Sequence, residues 1–119
     1  MNFNDLNVWK ESHQLSFEIY KITSSFPKSE IFGITSQLQR ASTSISANIA
    51  EGFGRKGNKE FIQYLYQSKG SLYETQNFLF LTKDLKYITL EQFNLLSNRY
   101  EILAKMLNSF ISSIKQNEK

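Results

Sequence analysis

The chain has no cysteine, and only one proline and one histidine among its 119 residues. Without cysteine there is no disulfide framework, no thiolate nucleophile and no cysteine metal site, so a reducing compartment is the natural expectation. A lone histidine without cysteine also excludes zinc sites of ordinary composition. One proline and five glycines leave little punctuation, which favours a few long elements over many short strands. No apolar run approaches membrane-spanning length, and the opening MNFNDLNVWKESH lacks the charged-then-apolar profile of a signal peptide. The expectation is a cytoplasmic, soluble protein with no membrane partner.

What is present points to one globular domain over residues 1–119. Hydrophobic residues make up 40% and aromatics 14%, enough for a packed core and too much for a disordered chain. The net charge of +3 is unevenly placed. Arg40, Arg55, Lys56, Lys59 and Lys69 outnumber Glu51 and Glu60 in the middle of the chain, so the basic excess gathers around residues 37–70. A solvated helix end explains such a cluster, and so does an anionic partner.

Apolar spacing predicts four helices, over about 5–25, 35–53, 58–85 and 90–115, joined by short connections. Asn4 or Asp5 is the expected cap of the first, and Pro27 stops it. Thr35 or Ser36 should cap the second. Gly52, Gly54 and Gly57 mark the break after it, and Glu60 offers half of a capping box for the third. Thr89 and Gln92 form a capping box for the fourth, whose Phe93, Leu96, Tyr100, Leu103, Leu107, Phe110 and Ile114 repeat in alternating three- and four-residue steps. The closing QNEK should fray. Four long helices with short loops predict an all-α, antiparallel up-down-up-down bundle.

The second helix carries two stripes. Ile34, Leu38, Ala41, Ile45, Asn48 or Ile49, and Gly52 have the spacing of a buried face, and Gln37, Arg40, Ser44, Asn48, Glu51 and Arg55 run beside them. Such a face is suited to being covered by a neighbouring helix, another subunit or a ligand. If the second and third helices fold back on each other, facing residues should have numbers totalling about 115. Arg40 then meets Glu74, Ser44 meets Ser71 or Gly70, Asn48 meets Gln67, and Glu51 meets Gln63 or Tyr64. Gly70 would permit close approach at this ladder of polar rungs.

Chemical motifs are few. Residues 52–57, GFGRKG, spell a dinucleotide fingerprint, but the segment before them is helical, and the fingerprint needs a preceding strand. What remains is a glycine-rich turn opening a helix and flanked by Arg55, Lys56 and Lys59, which suits anions. No serine has a base and an orienting group beside it, and no Glu-x-x-His element of a di-iron bundle occurs. We therefore expect no catalytic residue, metal or cofactor. Tyr64, Tyr66, Tyr73, Phe78 and Phe80 lie on several faces of the third helix, so some must fall outside the core. They hint at a surface buried between subunits, or, less commonly, at platforms for bases.

The second helix carries the run Gln37-x-x-Arg40-Ala41-x-x-Ser44-Ile45-x-x-Asn48-Ile49-Ala50-Glu51-Gly52-x-Gly54-Arg55. Together with Leu6-x-Val8-Trp9-Lys10, Phe26-Pro27-x-x-Glu30-x-x-Gly33, Glu60-Phe61 and Gly70-Ser71-x-x-Glu74, it resembles the four-helix-bundle family of 23S rRNA-intervening-sequence proteins. Gln39 stands where that family often has a second basic residue. The resemblance implies a bundle that assembles as a ring, a homopentamer. It also implies kinship with the accessory variability determinant of diversity-generating retroelements, which works with a reverse transcriptase and nucleic acid. No activity is established for the family. Two readings follow: an oligomeric module binding RNA, DNA or a ribonucleoprotein through Arg55, Lys56, Lys59, Arg40 and Lys69, and a protein-binding scaffold.

Overall fold

The computed structural model describes residues 1–117. Four helices hold most of them: α1 (Asn7–Thr23), α2 (Ile34–Phe53), α3 (Asn58–Asp84) and α4 (Leu90–Gln116). Short 3-10 turns at Phe3–Asp5 and Lys28–Glu30 precede α1 and α2, and no strand occurs among the described residues. Neighbouring helices run in opposite directions. Thr23 bonds Gln39 while Ser16 bonds Ser42, Gly52 lies on Tyr64 while Ser44 bonds Ser71, and Phe61 packs on Phe110 while Phe80 packs on Phe93.

The core follows the apolar periodicity. Leu15, Ile19, Leu38, Ile45, Ile49, Leu65, Leu72, Leu79, Tyr100, Leu103 and Leu107 are fully buried. Burial of each such side chain stabilises by about 1.5–3 kcal/mol. Between them sit Ser12, Ser16, Ser42, Ser68, Thr75 and Thr82, all buried. Small hydroxyl residues let helices approach, provided each hydroxyl finds an acceptor. Two do so across a helix interface: Ser16 donates to the Ser42 carbonyl (3.1 Å) and Ser68 to the Ile45 carbonyl (2.9 Å). The Tyr100 hydroxyl and the Thr35 Oγ1 are buried without a partner among the described residues.

Several helix ends differ from expectation. Asp5 does not cap α1; its carboxylate accepts the Asn2 N–H (2.8 Å) and closes the short turn before it. Helix α2 starts one residue early, after Gly33, so Thr35 and Ser36 lie inside it and neither caps it. Helix α3 follows Gly57, which sits at φ +82°, and no side chain caps it; Glu60 has no box to complete. The α4 box forms in both directions, Gln92 N–H to Thr89 Oγ1 (3.0 Å) and Thr89 N–H to Gln92 Oε1 (2.9 Å). The α4 seam is buried from Phe93 to Leu107 and again at Ile114, and slips by one residue between them. Ile111 is buried where Phe110 is only half-buried, as expected when a 3.6-residue helix meets a seven-residue repeat. Of the closing QNEK, Gln116 ends α4 and Glu118–Lys119 lie outside the described residues.

Candidate functional site

The α2–α3 hairpin carries both the polar stripe and the basic turn. Its helices approach closely at Gly52, where a Cβ would lie 2.6 Å from the Tyr64 Cβ and 3.0 Å from the Phe61 ring. Gly52 continues the Ile45–Ile49 track, so the missing side chain is what lets α3 cross. Gly70 does not serve this purpose. A Cβ there meets nothing within 4 Å, because Gly70 faces outward while its neighbours Ser68 and Leu72 face in.

The rungs of the polar ladder have different fates. Ser71 donates to Ser44 Oγ at 2.9 Å, joining the helices directly. Asn48 does not reach Gln67; its amide bonds the Ser44 carbonyl (2.9 Å) and Ser44 Oγ (3.1 Å) within α2, and Gln67 is left exposed. Arg40 and Glu74 line one open groove of about 420 Å³ with Gln37, Ala41 and Ser44, yet they form no ion pair among the described residues. Both side chains are exposed, where hydration competes with pairing.

At the turn, Arg55 is not a free cation. Its Nη2 donates to the Tyr64 hydroxyl (2.6 Å) and to Glu51 Oε2 (3.1 Å), and its guanidinium lies 5.0 Å from the Tyr64 ring centroid. The Tyr64 hydroxyl, and after it Arg55, hold the Glu51 carboxyl below its ordinary value. Glu51 in turn pushes the Tyr64 phenol up. This trio fastens the end of α2 to α3. The cations left outside it are Lys56 and Lys59, both exposed and unpaired among the described residues. They flank Gly57, whose φ of +82° turns the chain into α3. The first N–H groups of α3 are uncapped by any side chain, so the positive end of its dipole faces the same region.

The five cations singled out in the sequence are not gathered in one place. Arg55, Lys56 and Lys59 share the turn. Arg40 lies thirteen residues before the end of α2 at Phe53, roughly 20 Å along the axis from the turn. Lys69 stands on the outer side of α3, its Nζ 5.5 Å from the Tyr66 ring centroid. Sequence reasoning missed its neighbour Lys115, which donates to the Tyr66 hydroxyl at 2.7 Å. No local pattern links residues 49 apart; only the antiparallel α3–α4 pairing does. The Glu11–Arg99 ion pair (2.8 Å), which ties α1 to α4, escaped notice for the same reason.

His13 stacks on Trp9, centroids 4.6 Å apart and rings 11° from parallel, so its ring is engaged in packing. Among the described residues no three His, Asp or Glu side chains converge as a metal site would need. No described helix is long and apolar enough to cross a membrane.

The model of the 23S rRNA-intervening sequence protein family matches residues 4–109, most of the chain. The chain belongs to that family. A solved structure agrees: a protein of unknown function from the S23 ribosomal protein family of Bacteroides thetaiotaomicron superposes with a TM-score of 0.81. It is 28% identical, and the match covers 87% of this chain and 97% of that one. No curated protein matches. Family membership thus carries a fold, and the solved relative is itself of unknown function.

Proposed function

We propose that this family member is a non-enzymatic oligomeric bundle protein that binds RNA or a ribonucleoprotein through the α2–α3 turn. One observation carries the reading. The uncapped, positive start of α3 and the exposed, unpaired Lys56 and Lys59 lie together on a turn whose shape is fixed by Gly57 and by the Arg55–Glu51–Tyr64 trio. Phosphate oxygens are the natural ligands of such a turn. Two free lysines per chain give weak binding alone, so the reading includes assembly, with the homopentamer implied by family resemblance multiplying the contacts. The absence of a cysteine framework fits the cytoplasm.

Filter binding of labelled RNA at two salt concentrations tests this. Binding should weaken steeply as salt rises, and Lys56→Gln with Lys59→Gln should weaken it further and flatten the salt slope. Light scattering, read with the ultraviolet absorbance ratio, reports subunit number and co-purified nucleic acid together. Binding insensitive to salt, or none, removes the reading.

A second reading, a protein scaffold, is favoured by the pole opposite the basic turn. Phe32 there is 97% exposed beside a half-exposed Ile31, in the connection before α2. Capture of a protein partner that survives nuclease treatment would support it.

A further inference from the structure

Helix α3 has a second periodic face, turned away from the core. Tyr66, Tyr73 and Phe80 recur every seven residues, about 10.5 Å apart along the axis, and are 45%, 52% and 54% exposed. Gly70, with open space around it, separates the first two. Lysines stand over two of these rings. Lys69 and Lys115 bracket Tyr66, at 5.5 and 5.1 Å from its centroid, and Lys115 also bonds its hydroxyl. Lys83 lies 5.2 Å from the Phe80 centroid and 4.6 Å from that of Phe93, the two rings meeting edge to face at 4.9 Å. Between α3 and α4 beside Phe80 runs an open groove of about 350 Å³, lined by the amides of Gln76, Asn94 and Asn98. Acids near this side include Asp84, held by Lys83 at 3.7 Å, Glu101 at the groove, and the exposed Glu74 next to Tyr73 in the chain.

We propose that this α3–α4 flank is a stacking track for single-stranded RNA, with Tyr66, Tyr73 and Phe80 as base platforms and Lys69, Lys83 and Lys115 as backbone contacts. It rests on the reading of RNA as the ligand, and adds a face that distinguishes one kind of RNA from another. Exposed rings interleaved with lysines suit a strand whose bases are splayed. A duplex keeps its bases stacked internally and offers these rings nothing. A protein partner fits less well, because the buried centre of a protein interface is depleted in lysine, and here lysines accompany two of the three rings.

Fluorescence anisotropy with a labelled oligouridylate and with a labelled RNA duplex tests the track, using the full chain in its native assembly. Tyr73 is the residue to change, since it is exposed and outside the ring pairs and cation contacts described above. The single strand should bind more tightly than the duplex. Tyr73→Ala should lose roughly tenfold or more on the single strand and little on the duplex, while Tyr73→Phe keeps the affinity and Tyr73→Leu does not. Equal binding of both RNAs, unaffected by Tyr73→Ala but weakened on both by Lys56→Gln with Lys59→Gln, overturns the track and leaves the turn standing. No binding of either RNA overturns both. A change in assembly mass in Tyr73→Ala assigns the stripe to contact between copies, and overturns the track as well.

Discussion

Gly52 and Gly70 both sit inside long helices of the same hairpin, yet they do opposite things. At Gly52 the neighbouring helix presses so closely that a methyl group has no room; at Gly70 it would meet open space. Around Gly52 the seam between α2 and α3 is tightly closed, opening only toward the groove lined by Arg40 and Glu74, whereas the outer flank of α3 is left open, with its aromatic rings half in water. The seam is where the sequence has spent its packing precision. The flank keeps a glycine that weakens the helix without easing any contact within the chain.

The sharpest way to break this contrast is Gly52→Ala. Helix propensity alone would make it stabilising by about 1 kcal/mol, but the clash with Tyr64 should override that and leave a net loss of about 1–3 kcal/mol in urea denaturation. Next come two changes in the interior with opposite signs. Ser68→Ala removes a buried hydroxyl that serves the Ile45 carbonyl and should cost about 1 kcal/mol. Tyr100→Phe removes a buried hydroxyl that serves nothing and should stabilise by about 1–2 kcal/mol. Gly70→Ala should stabilise by about 1 kcal/mol, since the flank has room for it.

A pH titration sharpens the interior side. Burial pushes the Tyr100 phenol well above its ordinary value, so the native state holds that proton more tightly than the unfolded chain. Stability should therefore be unaffected by this group below the ordinary tyrosine range and fall as pH rises through about 10. Tyr64 and Tyr87, raised chiefly by Glu51 and Glu30, act in the same direction; Tyr66, lowered chiefly by its bond with Lys115, acts in the other. Thermal melts of Tyr100→Phe across this range should show a shallower fall than the parent. An equal slope would mean that the hydroxyl is not shielded from water.

Much of the seam was legible because periodicity reports which side of a helix is covered. The α2 track from Ile34 to Gly52 and the α4 seam from Phe93 to Leu107 are buried as their spacing predicts. The two glycines were separable as well: Gly52 lies on the apolar track and Gly70 lies off it, yet the close approach was expected at Gly70 and is found at Gly52. Helix starts were harder. Thr35 and Ser36 have the chemistry of caps, but the chain enters α2 one residue sooner, and the Thr35 hydroxyl is buried without a partner. The candidate site was the least legible part. Arg55 reads as a free cation until Tyr64 and Glu51 are seen to hold it, and Lys115 belongs with Tyr66 only because α4 folds back along α3.

The register of α2 against α3 underlies all of this, and the chain's lack of native cysteine makes it directly measurable. Ser44→Cys with Ser71→Cys places two thiols where two hydroxyls now bond, and mild oxidation followed by thiol titration and mass analysis reads the result. The account expects both thiols to be consumed in a disulfide within a single chain. Thiols that stay free, or that link only separate chains, would contradict it.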